Sequence, residues 1–212
     1  MNNVGMVGIG ITLVGLASLV AAEAAGSHLG KWLTKPVASL GFVLACAGSG
    51  NTADDMMTAL MAGLVLCLIG DVLLIEKRSF LAGLVAFLLG HVGFAVLFLI
   101  RDVSWLAVFA ALVPIGVFAV FIARWLHPHV ADAMWRPVLV YMIVISVMVA
   151  LAFGTHVHDP NPLIMWGAIG FFFSDLAVAR NRFVAPGFVN RAWGLPLYYL
   201  SVLALACFWV LE

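Results

Sequence analysis

The 212-residue chain is 65% hydrophobic and only 9% charged, with ten basic residues balanced by ten acidic ones. Because a typical soluble domain is about a quarter charged, this composition excludes a water-soluble globule and predicts one integral membrane domain over residues 1–212. The balanced charge excludes a nucleic-acid partner, and three isolated cysteines in apolar runs exclude a disulfide framework.

Eight apolar runs are long enough to cross the membrane, since about 20 helical residues span about 30 Å of hydrocarbon. They cover approximately residues 4–24, 33–48, 57–76, 80–100, 104–126, 135–154, 163–180 and 193–211. The connections are short, and GSGN at 48–51 indicates a turn. All seven Trp residues lie near the ends of the runs, as aromatic residues of the membrane interface do. We expect an all-α integral membrane bundle of eight transmembrane helices.

The basic residues predict the orientation of these spans. Arg101 lies on one side, and the other Lys and Arg residues all lie at the odd-numbered connections. Under the positive-inside rule those connections face the cytoplasm and both termini lie outside it, as in a multi-pass protein of a bacterial inner membrane. The third and seventh spans end in similar segments, GDVLLIEKRSF and SDLAVARNRF, which suggests two parallel four-helix halves.

Three residues of the Asp or His type lie more than one helical turn inside the predicted spans. Asp71 and Asp175 each lie about five residues, or roughly 7–8 Å, from the cytoplasmic end of a helix. A charge inside a span costs about 2.5–3.5 kcal/mol, so each is a functional residue by default, or else an anchor paired with a nearby Lys or Arg. His91 lies near mid-bilayer, where it could shuttle protons or form an interhelical hydrogen bond.

Further polar residues lie near the cytoplasmic ends of the spans. They are Glu23, Lys35, Ser174, Asn181, Arg182, Tyr198 and Tyr199. Snorkelling or simple packing would also explain the basic residues and the tyrosines. The fifth and sixth spans add almost nothing polar, so the other six predict one cavity open toward the cytoplasmic leaflet. With a single embedded histidine, we expect no metal site and no cofactor.

These residues recur in short motifs whose order resembles that of a known family. The motifs are Thr34-Lys35-Pro36, Gly70-Asp71, Phe80-x-x-Gly83, Gly90-His91, Ser174-Asp175 and Arg182-Phe183. In this order and spacing the chain resembles the YhhN-like membrane proteins, whose characterised members are lysoplasmalogenases. The resemblance implies hydrolysis of the vinyl ether bond of a lysoplasmalogen to a fatty aldehyde and glycerophosphocholine or glycerophosphoethanolamine.

This reaction needs an acid to protonate a carbon and a second group to stabilise the cation or activate water. Two carboxyl groups supply the same pair of roles in glycosidases. We therefore expect Asp71 and Asp175 to be an acid/base pair, with His91 orienting one of them or relaying a proton. Lys35 and Arg182 are expected at the cytoplasmic rim, where they would hold the lipid phosphate.

Other residues complete the expected substrate site, which takes a lysophospholipid from among the membrane lipids. They are Glu23, Ser174, Asn181, Tyr198 and Tyr199. The competing hypothesis is a proton-coupled transporter of lipids or small molecules, since embedded Asp and His residues also mark ion pathways.

Overall fold

A computed structural model describes residues 1–48 and 55–211, in which the secondary structure is helical throughout, without a strand. The α-helices are α1 (Asn3–Ala24), α2 (His28–Ala47), α3 (Asp55–Leu73), α4 (Phe80–Ile100), α5 (Trp105–Leu126), α6 (Asp132–His158), α7 (Pro162–Ala179) and α8 (Phe188–Ala206). The predicted all-α fold is confirmed, and each predicted span overlaps one of these helices. The predicted turn at 48–51 lies outside the described residues except for Gly48.

Side-chain caps fix where several helices begin. Asn2 accepts a hydrogen bond from the Gly5 amide at 3.1 Å, and Ser27 accepts one from Gly30 at 3.0 Å. Asn161 caps α7 in the same way, immediately before a proline at the first helical position. These are the residue types that satisfy the free amides of a first turn.

Three helices extend beyond their predicted bounds. The second begins at His28 rather than at 33, the sixth covers Asp132–His158 rather than 135–154, and the eighth begins at Phe188 rather than at 193. The third and the eighth also end earlier than predicted, at 73 and 206. All three extensions contain polar residues. An apolar-run criterion stops at such residues, although a helix continues through them wherever they face water or a polar interior.

Six of the helices are long and apolar enough to cross a membrane, namely α1, α3, α4, α5, α6 and α7. The chain is therefore a multi-pass membrane protein. The other two, α2 and α8, are similar in length but less apolar, because they contain buried polar residues such as Lys35 and Asn190. Whether these two also span the bilayer, how the bundle is oriented and whether it has two parallel halves remain predictions.

Small residues bring successive helices into close contact. A Cβ atom added to Gly41 of α2 would lie 2.5 Å from the Thr12 nitrogen and 2.7 Å from the Gly8 carbonyl oxygen of α1. Gly63 and Gly93 make a comparable contact between α3 and α4, with the added Cβ atom of Gly93 3.0 Å from the Gly63 Cα. Membrane helices use small residues in this way because lipid provides no hydrophobic force that would press them together.

The fifth helix is attached differently. It packs mainly on α6, and of its residues only Val108, Ile122 and Leu126 are buried. Its Gly116 has no atom within 4 Å of the position that a Cβ would occupy. Thus α5 forms the outer wall of the bundle, with most of its surface free of contact with the other helices.

Candidate active site

Asp71 on α3 lies in a buried polar network that joins three helices. Its Oδ1 lies 3.1 Å from Nζ of Lys35 on α2. Its Oδ2 accepts hydrogen bonds from Ser39 Oγ and Tyr198 OH, both at 2.7 Å. The Tyr199 hydroxyl lies 3.0 Å from Ser39 Oγ and extends the network on α8. Asp71 is therefore held by one basic side chain and two hydroxyl donors.

Asp175 on α7 lies in a second network with different chemistry. Its Oδ2 accepts a hydrogen bond from Tyr141 OH at 2.7 Å and lies 3.2 Å from His91 Nε2. The same imidazole nitrogen is 2.9 Å from the Tyr141 oxygen, so the three groups touch one another. In the described part of the chain no Lys or Arg pairs with Asp175, and His91 Nδ1 is buried without a partner. This carboxylate is thus held by the Tyr141 hydroxyl and the His91 imidazole.

One cavity borders both carboxylates. It holds about 1110 Å³ of space, including its open mouth, and each helix from α2 to α8 contributes to its lining. The Phe171 ring lies between the two networks, with its centroid 4.5 Å from that of His91 and 5.2 Å from that of Tyr198. A cavity shared by the two carboxylates is therefore present, as the sequence predicts, although α1 does not line it. Its opening toward the cytoplasmic leaflet stays a prediction, and the two carboxylates border it with separate sets of partners.

The cavity is amphiphilic. Apolar side chains of α4 to α7 line most of its wall, among them Leu84, Ile122, Ile145 and Phe172. Polar side chains from the α7–α8 connection and the start of α8 line another part, namely Asn181, Asn190 and Arg191. A molecule with one long apolar chain and one polar end would match both parts.

Several predicted site residues line this cavity in ways that the sequence did not indicate. Lys35 was expected at the rim, but it is 6% exposed and paired with Asp71. Ser174 lines the cavity, yet its hydroxyl donates to the Phe171 carbonyl at 2.7 Å. Its hydroxyl hydrogen is therefore directed to its own helix.

Three predicted substrate residues, and also His91, lie outside the lining. One of the three is Tyr199, a fully buried member of the Asp71 network. The Arg182 guanidinium is 4.2 Å above the Phe80 ring centroid, and the residue is exposed. Glu23 instead contacts two basic side chains, Lys31 at 3.8 Å and Arg191 at 4.0 Å. Their predicted contacts with substrate remain untested.

The expectation that the sixth span adds almost nothing polar is wrong, because Tyr141 of α6 contacts both His91 and Asp175. No sequence signal marks this tyrosine, which lies in the apolar run VLVYMIV. Ser39 was also missed, although it lies one helical turn after Lys35 and so on the same face. That spacing could have identified it.

At the surface, a small polar cluster ties the start of α2 to the connection between α3 and α4. Glu76 Oε1 lies 3.1 Å from the Trp32 indole nitrogen and 2.9 Å from His28 Nε2. The indole N–H, followed by the histidine, lowers the pKa of the Glu76 carboxyl below its usual value. The cluster holds the helix that carries Lys35 against the helix pair that carries Asp71.

Within the described residues no three His, Cys, Asp or Glu side chains gather in a metal-binding arrangement. The two networks consist of two carboxylates, an imidazole, a lysine side chain and four hydroxyl groups.

Comparison with known proteins identifies a family. The profile of the YhhN family matches residues 30–207, a range that includes Lys35, Asp71, His91, Tyr141 and Asp175. No curated protein and no solved structure matches the chain. Since the matched range covers most of the sequence and the whole of both polar networks, this membrane protein belongs to the YhhN family.

Proposed function

We propose that this protein is a membrane lysoplasmalogenase, which hydrolyses the vinyl ether bond of a lysoplasmalogen to a fatty aldehyde and a glycerophosphodiester. The observation that carries the proposal is the amphiphilic cavity bordered by two carboxylates with different partners. Its apolar wall suits one alkenyl chain, and its polar part suits a headgroup. Family membership supports the same activity.

The chemistry requires a proton and a water molecule. Protonation of the vinyl carbon β to the ether oxygen leaves an oxocarbenium ion at the α carbon. Water adds there and loses a proton, and the hemiacetal breaks its remaining bond to the glycerol oxygen. The products are an aldehyde and an alcohol, and the proton that is consumed first is returned when water adds.

We assign the acid to Asp175 and the stabilising carboxylate to Asp71. The oxygens of Asp71 are engaged by a lysine at 3.1 Å and by two hydroxyl donors, which suits a group held in a fixed position better than one that passes a proton. Asp175 has no such cation, and the imidazole of His91, at 3.2 Å, can return a proton to it after each turnover. Asp71 would stabilise the oxocarbenium ion and orient the attacking water, as the second carboxylate does in glycosidases.

We further propose that all eight helices cross the bilayer, with both termini outside the cytoplasm. In this arrangement α2 and α8 turn their polar residues toward the cavity and away from lipid, as intramembrane ionisable residues generally do. The nine basic residues at the odd-numbered connections would then face the cytoplasm.

Hydrolysis by purified protein in nanodiscs tests the activity directly. With a vinyl ether lysolipid, we expect a fatty aldehyde and the glycerophosphodiester in equal amounts. The saturated alkyl ether of the same chain length should not react, since it has no double bond to protonate. Asp175→Asn should lower turnover by at least about 100-fold, the usual effect of losing a general acid.

The matched control is Asp132→Asn, which makes the same chemical change at an exposed position at the start of α6. This variant should retain normal turnover. Failure of the wild-type protein to release aldehyde would refute the proposed activity. Lysolipid-dependent proton movement in proteoliposomes without aldehyde release would favour the alternative function, a proton-coupled transporter.

A further inference from the structure

Arg191 differs from the other basic residues near the cavity in the weakness of its contacts. Lys35 is paired with Asp71 at 3.1 Å, and the Arg182 guanidinium lies over an aromatic ring outside the lining. Arg191 lines the cavity, and its ion pair with Glu23 is 4.0 Å long, the outer limit for such a contact. Its side chain remains 31% exposed, so this guanidinium can exchange its partner at little cost.

The backbone that carries Arg191 is held firmly by the preceding residue. Asn190 is 2% exposed and accepts a hydrogen bond from the Arg180 guanidinium. Its amide group donates to the Ala185 carbonyl at 2.7 Å. These bonds tie the first turn of α8 to the π-helical segment Arg180–Val184 that follows α7. A weakly paired guanidinium thus extends from a firmly held helical turn at the polar part of the cavity.

We propose that Arg191 binds the phosphate of a single-chain lipid whose apolar chain occupies the cavity. This inference rests on the proposed function and specifies which part of the substrate the protein grips. A guanidinium can donate two parallel hydrogen bonds to phosphate oxygens. Its present contact with the Glu23 carboxylate, at 4.0 Å, is too long to be a hydrogen bond. Asn181, which also lines the cavity, lies beside this position through its contact with Asn190.

Glu23 acts as the resting partner of Arg191 in this proposal. It lies between Lys31 at 3.8 Å and Arg191 at 4.0 Å, so it keeps its own cation when the guanidinium turns to the phosphate. The predicted role of Glu23 in substrate binding then becomes indirect, because it positions the residue that binds.

The kinetic test compares two vinyl ether substrates that differ only in the phosphodiester. For the lysophospholipid, Arg191→Gln should raise KM by about tenfold or more, the usual effect of losing a hydrogen bond to a charged group, with a much smaller effect on kcat. For the corresponding alkenylglycerol, which has no phosphate, the same variant should leave KM unchanged. Arg191→Lys should retain part of the affinity. The matched control is Arg124→Gln, at an exposed arginine of α5 outside the cavity lining, which should match the wild type with both substrates.

A binding measurement separates this inference from the proposed activity. The probes are a saturated alkyl ether phosphocholine, the matching alkylglycerol and inorganic phosphate, none of which contains a vinyl ether. The phospholipid should bind the wild type about tenfold more tightly than it binds Arg191→Gln, whereas the alkylglycerol should bind both equally. This result would support the headgroup site even if no aldehyde were formed from any substrate.

Two outcomes would overturn the inference. One is equal affinity of the wild type and a well-folded Arg191→Gln for the phospholipid. The other is binding of inorganic phosphate as tight as that of the phospholipid, since the site would then recognise free phosphate without the chain. Thermal unfolding of each variant in the same detergent verifies that a loss of affinity is not a loss of folding.

Discussion

Neutralising each of the two carboxylates should affect stability very differently. In Asp71→Asn the buried ammonium of Lys35, 6% exposed, loses the carboxylate at 3.1 Å. Removing one partner of a buried ion pair costs about 3–5 kcal/mol, because the other charge stays buried without compensation. At about 2–4 °C per kcal/mol for a chain of this size, the apparent Tm should fall by about 6–20 °C.

Asp175→Asn is the comparison within the same cavity. Its carboxylate has no lysine or arginine partner among the described residues, and an amide oxygen can still accept the hydrogen bond of Tyr141. The free energy of unfolding should therefore change by no more than about 1 kcal/mol. Both variants should nevertheless lose hydrolysis. Asp175→Asn should therefore lose activity without losing stability, whereas Asp71→Asn should lose both.

The assay is tryptophan fluorescence during thermal unfolding in one detergent, with a double variant to close the cycle. Lys35→Met combined with Asp71→Asn removes both charges and should recover at least half of the lost Tm. An Asp71→Asn protein that melts within about 2 °C of the wild type would refute the argument. So would a double variant no more stable than Asp71→Asn alone, because the cost could not then come from the uncompensated ammonium.

Three further changes test other contacts. Tyr141→Phe removes the hydroxyl that contacts both His91 and Asp175. Turnover should fall by about tenfold, and the pH–rate profile should shift. An unchanged profile would argue against a role of this hydroxyl in positioning Asp175. Gly41→Ala should destabilise the fold by about 1–3 kcal/mol, measured as Tm, because its Cβ would meet the α1 backbone. The control Gly10→Ala has open space there and should not destabilise. Because the pKa of Glu76 is lowered in the folded protein, its contribution to the stability of the fold is complete above the unfolded pKa near 4.5. That contribution is lost as the pH falls through the folded pKa. In Glu76→Gln this part of the acid dependence of Tm should be absent.

The helical fold and the cavity were predictable because both follow from properties of single residues. Apolar runs define helices, and the rarity of ionisable residues within such runs singled out Asp71, His91 and Asp175. The partners of these residues were less predictable. Tyr141 was missed because a tyrosine in an apolar helix is ordinarily a packing residue, and only the three-dimensional contact with Asp175 distinguishes it.

The contacts of the basic residues were also not predictable from the sequence. The sequence places Lys35 and Arg182 near helix ends, which is compatible with snorkelling, phosphate binding or ion pairing. The structure separates the cases by distance and direction, since one cation pairs with a buried carboxylate and the other lies on the Phe80 ring. Neither distance nor direction is encoded in the local pattern, because each depends on which helices become neighbours.

The tight contact between α1 and α2 has a consequence for the synthesis of the protein. In the proposed eight-span arrangement Lys35 leaves the ribosome ahead of Asp71, so α2 first meets the bilayer with an ammonium that lacks its partner. Helix α1 is complete by then and apolar enough to insert alone, and its close fit at Gly41 offers α2 a protein surface instead of lipid. Helices α1 and α2 would therefore enter the bilayer as a hairpin. The Asp71 carboxylate of α3, arriving later, would then pair with Lys35 and stabilise α2 in the bilayer.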